Sequence, residues 1–488
     1  MRKYISLLVA VALLLPWSTA TAQVVGHVGD ILTVELRLEK GINLVTMPVN
    51  PTLETTNDRF MLSDLMRITT AAFVVTVEEG KFNTYLPGLN TKDSIVDGGK
   101  GYLIGMRITK TVTMHGLIWA PRTCTQNLVR GLNAIGLPRG VLNGMTTEIL
   151  RSLVGVPYLI ASLNGKFQPY VPGPNAAQPV AEGQAYLFSV PSSKTVTLPI
   201  RWPQQKIVYT SSGNGTFKIF TANGDGTNAQ MLTTNSAFES HGHWMPNGRD
   251  VAFVTDLIPD TGGRSANELR LCVWDETTKQ IRTIYTPGAG RAVRRFTVLP
   301  NQDMVFEETT YPEGAIHKLW YLNIVSGTKT RITTFDDNVD EFTPSSSINV
   351  QGEVTIWFCS NRIGKYQVYS RNVTLGTSVD QITSYSDAQA YLPVLSPDTR
   401  SLVITKTQQN PMLVLINERT SRERILVDTS GNDNPGDWES HGEGIIYTSD
   451  ASGLDRVYKV NVLDNQSSTF LPTRSLANEP NYQPQLFP

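Results

Sequence analysis

From residue 205 onward, short apolar strands recur at a regular interval. Each starts a period that also holds a second apolar strand and a third, more polar one. Their first residues lie 44, 53, 52, 46 and 43 positions apart. Units of several short strands that repeat every 40–50 residues or so are typical of β-propeller blades. The pattern predicts six blades over residues 201–488, and the repeated strands are Ile207-Val208-Tyr209, Val251-Ala252-Phe253, Met304-Val305-Phe306, Ile356-Trp357-Phe358, Leu402-Val403-Ile404 and Ile445-Ile446-Tyr447.

The two ends of this array predict how the ring of blades closes. The array begins at Ile207 with the second strand of a blade, and it stops at 481–486, which has the pattern of an innermost strand. A C-terminal strand that completes the first blade would leave no open sheet edge. Within the second blade, Leu257 to Asn267 is an insertion.

A different pattern occurs twice in the front third, over 31–115 and 125–199. Gly41-Ile42-Asn43 recurs as Gly131-Leu132-Asn133, and Tyr102-Leu103-Ile104 recurs as Tyr186-Leu187-Phe188. The segments are short, rich in Val, Ile, Tyr and Thr, and bounded by Gly, Pro and Asn, which indicates strands and turns. The repeated Asn and Tyr residues have two interpretations: a ligand site, or residues that set turns and fill a half-buried edge.

One helix is predicted in each copy of this pattern, over Asn57 to Ile68 and over Thr146 to Leu153. Apolar residues there lie at helical spacing, and Asn57 and either Thr146 or Thr147 are the candidate N-caps. The fold class is therefore mainly β, with a six-bladed β-propeller preceded by two small β-rich modules that each have one short helix. The predicted boundaries are 23–118 for the first module, 119–200 for the second and 201–488 for the propeller.

Several propeller repeats share more than their spacing. An apolar-aromatic strand ends in Ser-Asn or Ser-Asp, a glycine turn follows, and a strand containing Tyr comes next, as in 359–369 and Tyr447-Thr448-Ser449-Asp450. In this respect residues 205–488 resemble the TolB-type (PD40, WD40-like) β-propeller proteins. The resemblance implies a central channel that the loops before each innermost strand face, and docking of a protein or peptide partner at its mouth.

The first 22 residues have the pattern of a secretory signal peptide. Arg2 and Lys3 precede an apolar run from Tyr4 to Trp17, and an A-x-A pattern ends before Gln23. The run is too short to span a bilayer comfortably, and no later segment reaches about 18 consecutive apolar residues. No Cys follows the cleavage pattern, so a lipoprotein anchor is not indicated. The sequence predicts a periplasmic or extracellular protein.

Composition narrows the classes of partner. The chain has 42 basic and 43 acidic side chains, which gives no electrostatic signature of nucleic-acid binding.

Three cysteines in an exported chain leave at least one thiol unpaired. Cys272 and Cys359 lie in apolar strands, where a cysteine behaves as a small hydrophobic residue.

Candidate chemistry is sparse, because the sequence has no nucleophile elbow, phosphate loop, dinucleotide fingerprint or zinc-protease motif. His241 and His243 are two residues apart, which places both imidazoles on one side of a strand as possible metal ligands. Acidic residues near the start of the innermost strands are candidates to bind Ca²⁺ or a basic partner at the channel mouth, with solvated turns as the alternative. These residues are Glu239, Asp340, Glu341, Asp433 and Glu479.

The sequence favours a non-catalytic, exported binding or scaffold protein whose propeller docks a protein or peptide of the cell envelope. Two alternatives stay open. One is a carbohydrate-active lyase or hydrolase with a metal in the channel, for which His241 and His243 are the suitable ligands. The other is a structural surface or adhesion protein. The oligomeric state is not predicted.

Overall fold

The computed structural model describes residues 21–28, 30–57, 59–89, 91–120, 124–137, 145–163, 166–171, 178–180, 183–198, 205–212, 215–266, 268–310, 316–333, 337–376, 378–471 and 477–483. Residues 1–20, which make up most of the predicted signal peptide, lie outside the described residues. The chain divides into two compact units. The first comprises Met1–His27 and Ile31–Pro203, and the second comprises Val28–Asp30 and Gln204–Pro488.

The first copy of the front pattern forms two antiparallel sheets. Its strands are β1 (Thr21–Val28), β2 (Ile31–Leu38), β3 (Gly41–Val45), β4 (Phe73–Glu78), β5 (Lys81–Tyr85), β6 (Tyr102–Met106) and β7 (Lys110–Gly116). The strand orders are β1-β2-β7 and β3-β6-β4-β5. Helix α1 (Leu62–Thr69) follows a short 3-10 turn at Thr52–Glu54.

The second copy has a closely similar strand order. Its strands are β8 (Thr125–Leu128), β9 (Gly131–Gly136), β10 (Leu159–Leu163), β11 (Lys166–Tyr170), β12 (Ala185–Val190) and β13 (Lys194–Thr197), with helix α2 (Thr147–Val154) between β9 and β10. The orders are β9-β12-β10-β11 and β8-β13. Each strand from β8 to β13 thus takes the place of one strand from β2 to β7.

The repeated asparagine has a structural role in both copies. Asn43 accepts a hydrogen bond from the Glu39 backbone N–H at 3.0 Å and donates one to the Glu39 carbonyl at 2.9 Å. Asn133 makes the same pair of bonds with Val129, at 3.0 and 2.8 Å. The side chain closes the tight turn between two strands by pairing with both backbone groups of one residue. These contacts favour the turn interpretation of the repeated motif.

The four-stranded sheets of the two copies pack against each other within the first unit. Ile42, Leu44 and Leu103 from the first copy form one apolar cluster with Ala185 and Leu187 from the second. The approach is close at Gly101, where an added Cβ would lie 2.9 Å from the Cβ of Ala185 and 3.1 Å from that of Ala134. The two copies are therefore halves of one packed unit.

The predicted start of α1 is wrong, whereas the predicted cap of α2 is confirmed. α1 begins at Leu62, and its first free backbone N–H, that of Met61, donates to the Asp64 carboxylate at 3.1 Å. The predicted cap Asn57 lies outside the helix, where its N–H donates to Thr55 Oγ1 at 3.0 Å. The Asn57 prediction is wrong because a carboxylate inside the first turn takes the capping role. The Thr146 prediction is confirmed, since Thr146 Oγ1 accepts from the Ile149 N–H at 3.3 Å.

The second unit is built from antiparallel sets of four strands: within the described residues, four of these sets are separate four-stranded sheets, and two more are joined into one eight-stranded sheet. The first holds β14 (Lys206–Ser211), β15 (Lys218–Asn223), β16 (Gln230–Met231) and β39 (Ala477–Tyr482); the second β17 (Glu239–Trp244), β18 (Val251–Thr255), β21 (Glu268–Trp274) and β22 (Ile281–Tyr285); the third β23 (Arg291–Val298), β24 (Met304–Thr310), β25 (Lys318–Leu322) and β26 (Lys329–Arg331). The fourth holds β27 (Glu341–Ile348), β28 (Val354–Ser360), β29 (Gln367–Asn372) and β30 (Asp380–Gln381); the fifth β31 (Gln389–Leu395), β32 (Ser401–Thr407), β33 (Pro411–Asn417) and β34 (Glu423–Val427); the sixth β35 (Asp433–Trp438), β36 (Gly444–Ser449), β37 (Arg456–Asn461) and β38 (Ser467–Thr469). The insertion in the second blade forms a hairpin of β19 (Leu257–Ile258) and β20 (Gly263–Arg264).

These sheets are the blades of a closed ring. The innermost strands β39, β17, β23, β27, β31 and β35 each contact the next in this order, and β35 contacts β39. The C-terminal strand β39 pairs with β14, the first propeller strand in the sequence, as predicted. Blades two and three are also joined by a short parallel pairing of Glu268 and Leu269 with Arg291 and Ala292. The ring therefore closes through residues that lie at opposite ends of the propeller sequence.

Candidate functional site

Every innermost strand of the propeller is interrupted near its middle by a β-bulge. The pairing shifts between Ser240 and His243, Val293 and Phe296, Phe342 and Ser345, Tyr391 and Val394, and Pro435 and Asp437, and opposite β39 it shifts between Val208 and Thr210. A bulge adds a residue to one strand and redirects its side chain. The bulges therefore place one irregular segment of each blade at a similar level of the channel.

Four bulge residues have a backbone conformation that side-chain-bearing residues rarely adopt. The φ angles are +54° at His241, +53° at Thr343, +51° at Leu392 and +54° at Glu479. Such a conformation costs on the order of 1–3 kcal/mol and persists where surrounding contacts hold it. At Thr343 the backbone N–H donates to Glu307 at 3.0 Å, and at His241 it donates to Glu479 at 2.9 Å. The carboxylates of Glu307 and Glu479 thus hold two of the bulges.

A cavity of about 350 Å³ lies among the C-terminal halves of the innermost strands. Much of its lining is proline or hydroxyl-bearing, and includes Pro344, Pro393, Pro397, Pro435, Pro480, Thr297, Ser345, Ser346 and Ser347. Proline contributes a carbonyl acceptor but no N–H donor. Each of these prolines therefore lacks a backbone N–H, whereas the serine and threonine hydroxyls can both donate and accept hydrogen bonds.

His241 and Glu479 form an ion pair beside this cavity. His241 Nε2 lies 2.5 Å from Glu479 Oε1, and Thr210 Oγ1 donates to Glu479 Oε2 at 3.1 Å. Burial alone would raise the pKa of Glu479, but the positive charges of His241 and Arg295 lower it to about 2. The pair joins the C-terminal strand β39 in blade one to β17 in blade two. Both residues were predicted from the sequence as site candidates, but their pairing across 238 positions has no local sequence signal.

The second predicted metal ligand, His243, has a different environment. Its ring centroid lies 4.9 Å from that of Phe296, and both residues line the cavity. Burial, followed by the positive charge of His241, lowers the pKa of His243 to about 4, so the imidazole is neutral at pH 7. In the described part of the chain, no group of three or more His, Cys, Asp or Glu residues is placed to hold a metal ion. A metal at this pair remains a prediction from the sequence.

Three of the predicted acidic residues are fully buried inside blades. Glu239, Glu341 and Asp433 have 0% exposure, and each accepts a hydrogen bond from the hydroxyl of a threonine shortly before its own strand. Those threonines are Thr233, Thr333 and Thr429. Glu239 also accepts from Asn235 at 2.7 Å, and Glu341 from Arg362 at 2.8 Å. A threonine that lies four to eight residues before each carboxylate therefore supplies a donor to it within the same part of the chain.

Asp340 belongs to a separate network. Its Oδ1 lies 2.9 Å from His317 Nδ1, and its Oδ2 accepts from the Tyr366 hydroxyl at 2.8 Å. Burial opposes ionisation, but the hydrogen bonds from His317 and Tyr366 keep the pKa of Asp340 below its ordinary value. His317 Nε2 lies 3.7 Å from Glu307, whose pKa burial raises. Of the five predicted acids, only Glu479 lines the cavity.

Two charged residues of the cavity were missed by the sequence analysis. Arg295 lies in the bulge of β23, and within the described residues its guanidinium has neither a hydrogen bond nor an ion pair. Asp437 lies in β35, where its carboxylate accepts the backbone N–H of Tyr482 at 2.9 Å and of Trp438 at 2.8 Å. Burial raises the pKa of Asp437 to about 7. Neither residue belongs to a motif, so only the folded ring shows that both face one cavity.

Blades in a closed ring around a channel define the class of the second unit as a β-propeller. No family model matches the sequence, and no curated protein matches it. Among solved structures, the chain is similar to TolB from Acinetobacter baumannii, at 15% identity over 70% of this chain and 86% of that one, with a TM-score of 0.50. This likeness shows the fold: the unit is a TolB-type β-propeller.

Two further solved structures have lower TM-scores. A putative TolB from Agrobacterium tumefaciens is 11% identical over 59% of this chain and 100% of that one, with a TM-score of 0.41. An oligogalacturonate lyase in complex with manganese is 12% identical over 55% of this chain and 73% of that one, with a TM-score of 0.40. In the part of the chain that the structure describes, neither helix is long and apolar enough to cross a membrane.

Proposed function

We propose that this chain is an exported, non-catalytic binding protein whose propeller docks a peptide or protein partner of the cell envelope. The observation that supports this most directly is the composition of the cavity lining. Its serine and threonine hydroxyls can donate and accept hydrogen bonds, and an extended peptide segment carries both an N–H donor and a C=O acceptor at nearly every residue. A peptide is therefore a complementary occupant for the channel.

The contacts within the ring also favour binding over catalysis. Glu239, Glu341 and Asp433 are engaged by threonine hydroxyls, and His241 is paired with Glu479. The His243 imidazole packs against Phe296 instead of pairing with a nucleophile. The TolB-type fold, which the comparison establishes, is consistent with a docking role but does not identify the partner.

The proposed docking site is tested by crosslinking in the native cell. A photoreactive amino acid replaces Ser345, which lines the cavity, and in a matched variant it replaces Val325, which is 92% exposed on an outer turn. We expect a discrete protein adduct from position 345 that is absent from position 325, and mass spectrometry of the adduct then identifies the partner. A full yield of folded protein with no adduct at position 345 would contradict docking in the cavity.

Export is tested on the same protein. If residues 1–22 are a signal peptide, the mature protein begins at Gln23 and is recovered outside the cytoplasm. Cell fractionation shows where the protein is located, and N-terminal sequencing of the recovered protein shows its first residue. A cytoplasmic protein that retains Met1 would contradict the export part of the proposal and would leave the cavity result unaffected.

A further inference from the structure

The cavity contains one basic and one acidic side chain that the described part of the chain leaves without an ion-pair partner. Arg295 comes from blade three and Asp437 from blade six, and both line the cavity. In the ring order, two blades separate blade three from blade six on either side, so the two residues lie on opposite walls. Arg295 and Asp437 therefore do not form an ion pair with each other.

The other acidic groups at or near the cavity already have partners, and these groups include Asp30, which lines the cavity and whose like charge helps to raise the pKa of Asp437. Glu479 is paired with His241 at 2.5 Å. Glu307 accepts from the Thr343 backbone N–H at 3.0 Å and lies 3.7 Å from His317. The positive charge of Arg295 acts on Glu479 and Glu307 only at longer range. Arg295 is therefore not needed as the direct counter-ion of either carboxylate.

A partly buried charge without a counter-ion costs stability, because water is removed from it without compensation. A guanidinium presents a planar fork of donors that matches a carboxylate in a bidentate geometry. A carboxylate held by two backbone N–H groups, as Asp437 is, retains acceptor positions for a cationic donor. The two residues together match a ligand with one negative and one positive group.

We propose, building on the docking function above, that the cavity binds an amphoteric peptide segment. Its carboxylate pairs with Arg295 on one wall, and a cationic amine pairs with Asp437 on the opposite wall. The cavity volume of about 350 Å³ lies near the lower end of the usual range for ligand sites, roughly 300–1,000 Å³.

The experiment uses four dipeptides as probes on the full mature chain. They are alanyl-alanine with both ends free, with the carboxyl end amidated, with the amino end acetylated, and with both ends blocked. Binding is measured by ligand-observed NMR to the wild type and to the variants Arg295→Gln and Asp437→Asn. Arg249→Gln and Asp260→Asn, which change exposed residues on turns, are the matched controls.

We expect the zwitterionic dipeptide to bind most tightly and each blocking group to weaken binding about tenfold, since hydrogen bonds to charged groups are the stronger kind. Arg295→Gln should abolish the advantage of a free carboxyl end and keep that of a free amino end. Asp437→Asn should do the reverse, and Arg295→Lys should restore part of the carboxylate preference. The two control variants should behave as the wild type.

Equal binding of all four dipeptides would overturn the proposal. So would an Arg295→Gln variant that weakens the amidated dipeptide as much as the free one, or no binding of any dipeptide up to about 10 mM, a concentration well above a millimolar dissociation constant. These results are distinguishable from failure of the docking function. A protein adduct at position 345 alongside equal dipeptide binding would keep docking and refute charge recognition.

Discussion

Neutralising Glu479 should weaken the closure of the propeller ring by an amount that depends on pH. In Glu479→Gln the amide oxygen still accepts from the Thr210 hydroxyl and from the His241 backbone N–H, so the change removes chiefly the charge that faces His241 Nε2. Because β39 carries Glu479 and β17 carries His241, the lost attraction acts directly between the last strand of the chain and blade two.

The expected magnitude follows from the pKa of Glu479, which lies at about 2 in the folded protein against an ordinary value of 4.5. A difference of this size corresponds to about 3 kcal/mol of unfolding free energy, at about 1.4 kcal/mol per pKa unit. Since the folded pKa is the lower one, the contribution is fully present above pH 4.5 and is lost as the pH falls towards 2. At pH 7 the variant should therefore be less stable by about 3 kcal/mol.

Urea unfolding followed by tryptophan fluorescence at pH 7, 5, 4 and 3 measures this difference. The gap between the wild type and Glu479→Gln should be constant from pH 7 to 5 and should shrink at pH 4 and 3. Glu276→Gln, which changes an exposed carboxyl on an outer turn, is the control and should differ little from the wild type at every pH. A gap of the same size at pH 7 and pH 3 would refute the assignment of the stabilisation to the ionised carboxylate.

Three further predictions concern the core and the edges of the fold. Removing residues 472–488 deletes β39 and exposes the edge of β14, so we expect the truncated protein to aggregate on refolding. Light scattering measures this aggregation, and a monodisperse product would contradict closure of the ring by β39. Burial raises the pKa of Cys272 and of Cys359 to about 12, so a thiol reagent at pH 8 should modify these two residues only at the rate of unfolding. Fast labelling of the two residues in the native protein would contradict their burial. Gly101→Val forces a side chain between the two front copies and should cost about 1–3 kcal/mol in urea unfolding, whereas an unchanged midpoint would show that the copies are not closely packed there.

The blades were predictable because their sequence signal is local and periodic. The apolar strand that starts each sequence period, such as Val251-Ala252-Phe253 or Leu402-Val403-Ile404, is buried along its length. Burial on both faces gives a continuous apolar run, which is easy to recognise in a sequence. The insertion at 257–267 was recognised for the same reason, because it lies in one of the two longest periods of the array. The helix start at Leu62 was missed, because an internal carboxylate, Asp64, replaces the preceding cap residue that the rule assumes.

The candidate site was predictable only in part, because its residues act through long-range pairs. His241, His243 and Glu479 were recognised from their residue types, but the contact of His241 with Glu479 depends on ring closure by a strand 238 positions away. Glu239, Glu341 and Asp433 were predicted at the channel mouth, and in the structure each accepts a hydrogen bond from a threonine hydroxyl. The sequence does not reveal this contact, because a carboxylate at the start of a strand has the same pattern whether it faces water or a hydroxyl. Arg295 and Asp437 belong to no motif and were missed.

The bulges connect these observations. A regular innermost strand would continue its pairing past Thr343 and His241, and its side chains would alternate strictly between the two faces of the blade. The extra residue in each strand breaks this alternation and places Arg295 and His241 at the channel. The positive φ angles at His241 and Glu479 carry a backbone cost, and the ion pair between the same two residues offsets it. Stability of the ring and the chemistry of the cavity therefore rest on the same side chains, so substitutions at Glu479 and at Arg295, whose positive charge lowers the pKa of Glu479, should each change both the unfolding free energy and peptide binding.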